Sequence, residues 1–308
     1  MTAKIQMVEG AEAVRFLADP DYDVVPYHDR YAALAERLQL DFSNILYLLD
    51  HLPLALRDTA HVEQRADVAR LLADRRPHVA AALPAIIARH FAGLSRPGPC
   101  NLLDDCVKPT VEAMIATLIA ADLSPTTANL VSRVFSQAMG VAQRRAMNAE
   151  LAGLRRQIAL AHPDESVLRQ GSRLALVVLG RDALIGTLSR SLHAHLLDLD
   201  GRPLRTHPMP EVPTHTGVPY IDREAKADHG DVVRCRLQAL EAAAPAERLR
   251  FFGAGPHVCL GRVLTLELFH QVSTHLSGLA TSVRVDTFHL RKDDVFALPD
   301  IFTAWVSP

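Results

Sequence analysis

The stretch RFFGAGPHVCLGRVLTLELF, from Arg250 to Phe269, places one cysteine in a glycine-rich run that leads directly into an apolar helix. Gly253, Gly255 and Gly261 flank Cys259, so the backbone there can adopt positive φ angles and come close to a flat ligand. The helix that follows directs its N-terminal amides at the sulfur, and these amides favour a thiolate over a thiol. Three interpretations stay open at this point: a buried structural thiol, a redox or nucleophilic cysteine, and an axial ligand to a metal or haem.

The composition is that of an ordinary globular protein and excludes several classes of partner. The 308 residues are 49% hydrophobic and 22% charged, with a net charge of -2. This balance gives no basic surface for nucleic acid, and the N-terminal MTAKIQMVEG lacks the apolar segment of a signal peptide. The apolar run at 174–180 is far shorter than the roughly 18 residues that cross a bilayer. We therefore expect a cytoplasmic protein with no nucleic-acid and no membrane partner.

The cysteines do not form a metal or disulfide pattern. Cys100, Cys106, Cys235 and Cys259 make no CxxC pair and no zinc-finger spacing, and they are too few to crosslink a chain of this length. Reduced thiols are expected. A glycine-rich loop before a helix also suits phosphate, but neither GxxxxGK[ST] nor GxGxxG after a strand is present.

Most of the first two hundred residues have the periodicity of helices. Apolar residues recur at three and four spacings in three alanine- and leucine-rich segments, which predict an α-helical body. A fourth helix is apolar on all sides near its start, which indicates that it runs through the centre of the protein. The three segments are 60–94, 108–121 and 126–155, and the fourth helix is 172–197.

The composition changes after residue 200. The segment 201–230 is dense in proline, glycine, histidine and charge, which is typical of loops and short strands. The run VVRCRL at 232–237 is the best strand candidate.

The segment around Cys259 resembles the haem-ligand signature of the cytochrome P-450 family, FGxGxHxCxGxxLAxxE. Two positions depart from the signature: Thr265 replaces the usual alanine, and Leu268 stands where the acid is expected, with Glu267 one residue early. The matching positions are Phe252, Gly253, Gly255, His257, Cys259, Gly261 and Leu264.

The resemblance implies a role for each matching residue. Cys259 would be the proximal thiolate ligand of the iron in a b-type haem, the ligation whose electron donation favours O–O cleavage. Phe252 would pack against the haem near the sulfur, His257 would reach a haem propionate, and Gly253 and Gly261 would allow the backbone to approach the cofactor.

A second similarity lies upstream, in LRDTAHVEQRADVARLLADRR at 56–76. It resembles the family's C helix, in which a histidine and an arginine four residues later face the haem propionates. These residues are His61 and Arg65, and an i, i+4 pair shares one helix face. The resemblance extends roughly from Ala60 to Leu279 and is specific only around Cys259.

The long helix at 172–197 is similar to the family's central helix but departs from its GxDT motif. The motif positions are Gly180, Arg181, Asp182 and Ala183, so the acid is kept and the threonine is lost. That hydroxyl normally helps to deliver protons to dioxygen, and its absence favours hydrogen peroxide over ordinary monooxygenation. Thr187, one turn later, is the candidate substitute.

The expected fold is therefore mainly α with a small β region, a trimmed cytochrome P-450-like fold that lacks the usual K-helix region. Between residues 197 and 218 there is no room for that helix, and the only nearby ExxR, at 247–250, lies too close to Cys259. We expect one haem-binding domain over 1–308. Its parts are a shortened N-terminal region at 1–59, the helical body at 60–200, a loop and short-strand region at 201–258, and the proximal cysteine helix with C-terminal strands at 259–308.

The resemblance implies a haem-dependent oxidative enzyme for a small molecule. The most specific hypothesis is N-hydroxylation of L-arginine in antibiotic biosynthesis, because the small size and the distal acid resemble, in overall character, the haem proteins that carry out this reaction for D-cycloserine. Asp182 would hold the guanidinium and Arg181 the substrate carboxylate. The oxidant would come through an electron donor or as hydrogen peroxide, and a homodimer is the candidate assembly. The alternative is a non-catalytic helper protein for another biosynthetic enzyme; a thiolate-haem sensor is disfavoured because no output domain is attached.

Overall fold

A computed structural model describes residues 5–122, 130–136, 138–226, 231–291 and 295–308. Its α-helices are α1 (Gly10–Ala18), α2 (Tyr27–Leu38), α3 (Ser43–Leu49), α4 (Asp58–His90), α5 (Lys108–Ile119), α6 (Val141–Ala161), α7 (Val167–Leu199), α8 (Pro245–Arg248) and α9 (Arg262–Ser277). Its strands are β1 (Ile5–Glu9), β2 (Tyr22–Asp23), β3 (Gly98–Asn101), β4 (Tyr220–Ala225), β5 (Val232–Arg236), β6 (Ser282–Leu290) and β7 (Pro299–Ser307).

Helix α7 is the central element, as its apolar sequence predicts. Its N-terminus is capped by Ser166, whose Oγ accepts a hydrogen bond from the backbone N–H of Arg169 at 3.2 Å. It ends at Leu199 and is capped by Asp200, which has a left-handed backbone conformation with φ of 49°. Its buried residues lie on every side of the helix, and it packs against α4, α5, α6 and both long C-terminal strands. The helix therefore forms the axis around which the rest of the core is built.

The helices on either side of α7 confirm part of the helical prediction and correct another part. The predicted helix at 60–94 is α4, which is followed by a separate 3₁₀ turn at Ala92–Ser95. The predicted helix at 126–155 is wrong in its first half, because Val131–Phe135 forms a 3₁₀ turn and α6 begins only at Val141. Gly140 is extended and its N–H is bound by the side chain of Gln143, which fixes the helix start. Residues 126–129 lie outside the described residues.

Two small sheets flank the helices. The predicted strand at 232–237 is confirmed as β5, which lies in a four-stranded sheet of order β1-β5-β4-β2. Strand β1 pairs with β5 in parallel, with Ile5 opposite Val232, whereas β4 pairs with both of its neighbours antiparallel. The other sheet is antiparallel, of order β3-β7-β6. Between α7 and β4 the chain, described without a gap, contains a single 3₁₀ turn at Leu204–Thr206.

The apolar side chains form a large core and a smaller cluster. The large core contains side chains from each of the helices α3 through α7, from α9 and from the C-terminal strands. The smaller cluster lies between α1 and the four-stranded sheet, and it includes Phe16, Leu17, Cys235 and Phe251. Phe251 connects this cluster to the loop that carries Cys259. Among the described residues, no helix combines the length and the apolarity that a membrane span needs.

Candidate functional site

A cavity of about 680 Å³ lies between the middle of α7, the loop before α9 and strand β4. This volume is within the range of small-molecule and cofactor sites. Its wall contains several of the residues that the sequence singled out: Arg65, Thr187, Phe252, His257, Cys259 and Gly261.

Cys259 lies in the turn between the 3₁₀ segment Gly255–His257 and α9. Its backbone N–H donates to the carbonyl of Phe252 at 2.7 Å, which closes the loop. Gly253 and Gly255 have φ angles of +80° and +64°, and a Cβ at Gly255 would lie 2.9 Å from the Cα of Ala18. Only glycine therefore fits at Gly255. Of the four cysteines, all within the described residues, Cys259 alone is exposed, and the surface it exposes faces the cavity.

Burial and hydrogen bonding act on the Cys259 thiol in opposite directions. The exposed surface of Cys259 faces the cavity, and the protein around it still separates the sulfur from bulk water. This desolvation raises its pKa, whereas the N–H groups of Gly261 and Arg262 and the charge of Arg65 lower the pKa in part. The amides act as the sequence predicts, but they do not outweigh the desolvation. A metal ion bound at this position would stabilise the thiolate form of Cys259, since a metal deprotonates the thiol that coordinates it.

Four basic side chains gather at one end of the cavity. The imidazole rings of His61 and His257 are in contact, with centroids 4.3 Å apart. Arg65 donates from Nη2 to the carbonyl of Val258 at 2.6 Å. Arg223, on β4, is 2% exposed and also lines the cavity. We call these four residues the basic cluster.

The basic cluster forms no salt bridge of its own among the described residues. The nearest carboxylate, Asp23, acts on three of its members but is itself paired with Arg57. Burial and the charge of Arg223 lower the pKa of His257 to about 3, although Asp23 opposes the shift. Burial, and then Arg65, lower the pKa of His61, whose buried Nε2 has no hydrogen-bond partner in the described part of the chain. Arg223 forms no salt bridge with any described residue; its guanidinium makes a single long contact, 3.4 Å to the Asp222 carbonyl. An anionic group would therefore be favoured here. The two propionates of a haem fit this requirement.

Arg223 is the member of the basic cluster that sequence analysis missed. The segment 201–230 was predicted as loops and short strands, and nothing in it separates Arg223 from the neighbouring charged residues. Its position follows from β4, where Arg223 pairs in register with Val233 of the buried β5 strand. An arginine inside a short strand of otherwise mixed polarity is the only sequence signal that could have indicated it.

One face of α7 lines the same cavity as Cys259. Gly180, Ala183, Leu184 and Thr187 line the cavity, as expected from their helical spacing. The Thr187 hydroxyl donates to the carbonyl of Ala183 at 2.7 Å and accepts from the N–H of Gly217 at 2.8 Å. Its proton is therefore used within the helix, so Thr187 is a poor substitute for the threonine missing at Ala183.

Asp182 and Arg181 are bonded to neighbouring residues outside the cavity, so the structure gives no support to their predicted role in binding arginine. The Asp182 carboxylate accepts hydrogen bonds from Arg181 Nη1 at 2.7 Å and from the Ser132 hydroxyl. Arg181 also donates to Glu112 Oε1, from Nε at 3.0 Å and from Nη2 at 2.5 Å. Neither residue lines the cavity. The cause is helical phase, since positions 181 and 182 lie opposite to 180, 183 and 187.

The remaining wall is apolar or carries charges that are already paired. Asp222 and Arg234 form a two-point ion pair, at 2.8 Å for both contacts, and Arg234 lies over the ring of Tyr220 at 3.9 Å. Burial and then Asp222 raise the pKa of Tyr27, which keeps this phenol neutral. The apolar part of the wall includes Leu72, Met114, Phe135, Leu176, Val295 and Phe296.

Comparisons with known proteins identify the fold. No protein-family model and no curated protein sequence matches the chain. Solved structures match over nearly its whole length. CalO2 superimposes with a TM-score of 0.72 at 15% identity, over 98% of this chain and 90% of its own. The P450 monooxygenase TamI, solved with tirandamycin C, gives 0.69 at 18% identity, over 98% and 89%. P450BioI, solved with an acyl carrier protein ligated to hexadec-9Z-enoic acid, gives 0.68 at 14% identity, over 96% and 90%.

These identities are low, so the comparisons show the fold alone. The chain has a mainly helical cytochrome P450 fold with small sheets, which confirms the predicted fold class.

Proposed function

We propose that the protein is a haem-thiolate oxidoreductase that acts on a small molecule, with Cys259 as the iron ligand. The observation that carries this proposal is the position of Cys259. It is the exposed cysteine in a cavity that is also lined by members of a basic cluster without salt bridges among the described residues and by an apolar face of α7. The P450 fold supports the same assignment, since TamI, which shares it, is a monooxygenase.

Different residues at the cavity would bind different parts of haem b. Cys259 would ligate the iron, and Phe252 and Gly261 would contact the cofactor near the sulfur. Arg65 and Arg223 would bind the propionates together with His61 and His257. Bound in this way, a thiolate-ligated haem supplies oxidative chemistry in which electron donation from sulfur favours O–O cleavage.

The α7 face bears on which oxidant would suit the site. Ala183 presents a methyl group where a hydroxyl would relay protons, and the hydroxyl proton of Thr187 is held by the Ala183 carbonyl. Proton delivery from this helix is therefore impaired. We propose hydrogen peroxide as the preferred oxidant, because it brings its own protons and needs no electron-donor protein.

The cavity wall also indicates the class of substrate. N-hydroxylation of L-arginine would need a free carboxylate for the guanidinium, but Asp182 lies outside the cavity and Asp222 is paired with Arg234. The wall next to α7 is apolar. An uncharged, largely apolar small molecule of secondary metabolism is the better fit, and tirandamycin C bound to TamI is a precedent on the same fold.

One measurement tests the proposal and separates it from the helper-protein alternative. The purified protein is reconstituted with haem, reduced and exposed to carbon monoxide. A strongly red-shifted Soret band in wild type that disappears in Cys259→Ala supports the thiolate ligation. A wild-type protein that binds no haem, or binds it without this band, would contradict the proposal and favour a helper role.

A further inference from the structure

An ion pair between α7 and the segment that leads to Cys259 carries a further inference. Arg190 donates to Glu241 from Nη1 to Oε1 at 2.6 Å and from Nη2 to Oε2 at 3.0 Å. The side chains are only 11% and 17% exposed. Two parallel contacts between a guanidinium and a carboxylate, largely shielded from water, define both the distance and the orientation of the groups.

The same ion pair also holds the loop that contains His215 and Thr216, which forms one wall of the cavity. Arg190 Nη1 donates to the carbonyl of Thr216 at 2.5 Å, and the Thr216 N–H donates to Glu241 Oε1 at 3.2 Å. His215 Nε2 lies 3.7 Å from Glu241 Oε2. Both side chains of the pair are therefore bonded to this loop, and three separate segments of the chain meet at the pair.

The loop is fixed on α7 by further contacts at either side of the pair. The hydroxyl of Ser191 accepts from the N–H groups of Thr214 and His215, at 3.2 and 3.1 Å. A Cβ on Gly217 would lie 2.6 Å from the Thr187 backbone nitrogen, so the loop backbone lies directly on the helix. The ion pair therefore joins the Glu241 segment to a part of α7 that is already tightly packed.

From Glu241 the chain reaches Cys259 through short elements. These are α8 and two 3₁₀ turns, at Leu249–Phe252 and Gly255–His257. Leu240 and Phe251 are buried in the same cluster, and the Cys259 N–H is bound to the Phe252 carbonyl. Since no long helix or strand runs through this stretch, its position relative to α7 depends on a few tertiary contacts.

We infer that Arg190 and Glu241 are positioning residues, which set the Cys259 loop at the correct distance from the α7 face that lines the cavity. The inference rests on the proposed function, in which Cys259 is the haem ligand. Loss of either charge leaves the other side chain partly buried without its partner, and the loop loses its direct ionic link to the central helix.

The chain offers a matched control on the same helix. Arg173 of α7 forms a two-point pair with Glu165, at 2.7 and 2.5 Å, and Arg173 is also largely buried. This pair closes the turn between α6 and α7 and does not contact the Cys259 segment. Glu165→Gln therefore removes a comparable ion pair without disturbing that segment.

The experiment compares Glu241→Gln with Glu165→Gln. In the haem-free protein, amide hydrogen exchange is measured for peptides that span 249–260. In the reconstituted protein, the fraction of the reduced carbon monoxide complex with the thiolate Soret band is measured. We expect Glu241→Gln to speed exchange at these amides about tenfold or more and to lower the thiolate fraction at least about twofold, whereas Glu165→Gln changes neither. The double variant Arg190→Glu/Glu241→Arg, which exchanges the two charges, should partly restore the slow amide exchange and the thiolate fraction.

The outcomes separate this inference from the proposed function. Equal exchange at 249–260 in both variants, with equal thiolate fractions, would overturn the positioning role. A wild-type protein without the thiolate band would overturn the proposed function, while the exchange measurement on haem-free protein would still test whether Arg190 and Glu241 hold the loop.

Discussion

The imidazole of His61 lies against that of His257, with ring centroids 4.3 Å apart and the planes inclined by 42°. One ring comes from the first turn of α4, and the other from the loop before α9. This contact brings together the two stretches that resemble the cytochrome P-450 family at distant points of the sequence. Desolvation and the neighbouring arginines lower the pKa of both imidazoles, and Asp23 opposes the shift, so the neutral rings are favoured until an anion binds beside them.

Arg223→Gln should weaken haem retention. The guanidinium is buried without a carboxylate partner among the described residues, so a propionate would gain a charge-assisted hydrogen bond worth about 1.5–3 kcal/mol. Transfer of haem to an acceptor globin should accelerate about tenfold or more. Arg236→Gln, on the neighbouring strand and paired with exposed Glu9, is the control and should leave the rate unchanged. Equal rates in the two variants would remove Arg223 from the haem site.

Cys259→Ala should abolish the thiolate spectrum while the protein stays folded. Its side chain faces the cavity, so little packing is lost. Cys235→Ala should show the opposite pattern, because Cys235 is completely buried, and its truncation should cost about 1 kcal/mol without changing the spectrum. Absorption spectra and urea unfolding of both variants provide the comparison. A wild-type Soret band in Cys259→Ala would show that another residue ligates the iron.

Asp182→Asn should affect stability and not the recognition of arginine. The carboxylate is 2% exposed and bonded to Arg181 and Ser132, so neutralising it weakens a buried network by about 2–4 kcal/mol. The free energy of unfolding in urea measures this loss. Wild type offered L-arginine with peroxide should form no N-hydroxyarginine. Arginine turnover that disappears in Asp182→Asn at unchanged stability would restore the original hypothesis for this residue.

Ala183→Thr should improve the use of dioxygen. The side chain at this position lines the cavity, and a hydroxyl there would provide the proton donor that Thr187 cannot supply. With a reductase system, the fraction of NAD(P)H converted to product should rise several-fold, and the released peroxide should fall. Ala183→Val, which has the same shape without the hydroxyl, is the control. Improvement in both variants would point to cavity shape and not to proton delivery.

Stability should fall on acidification, in part because of His195. Burial lowers the pKa of this α7 residue to about 4, His207 adds to the effect, Asp198 opposes it, and Nε2 has no partner within the described residues. Because the unfolded chain binds the proton at pH values where the folded His195 stays neutral, stability decreases between about pH 6.5 and 4. His195→Leu should reduce the loss between pH 7 and 4.5 by about 2 kcal/mol. Urea unfolding at both pH values measures it; equal losses in the two proteins would contradict this assignment.

Local sequence patterns were enough to predict α4, α5, α7, α9 and the cysteine loop, but not the start of α6 or the short N-terminal helices. The positive φ angles at Gly253 and Gly255 follow from the glycines themselves, and the central position of α7 follows from its apolar composition. The i, i+4 spacing of His61 and Arg65 likewise predicted a shared face. These features depend on neighbours in the chain, and the sequence by itself determines them.

Tertiary structure decided the composition of the basic cluster and the direction of the acid on α7. Helical spacing separates Asp182 from Gly180 and Ala183, but it does not state which of the two faces meets the cavity; packing against Ser132 and Glu112 does. Arg223 joins the cluster only because β4 and β5 pair in one register. Contacts between distant segments depend on how whole elements pack, and neither periodicity nor local motifs contain that information.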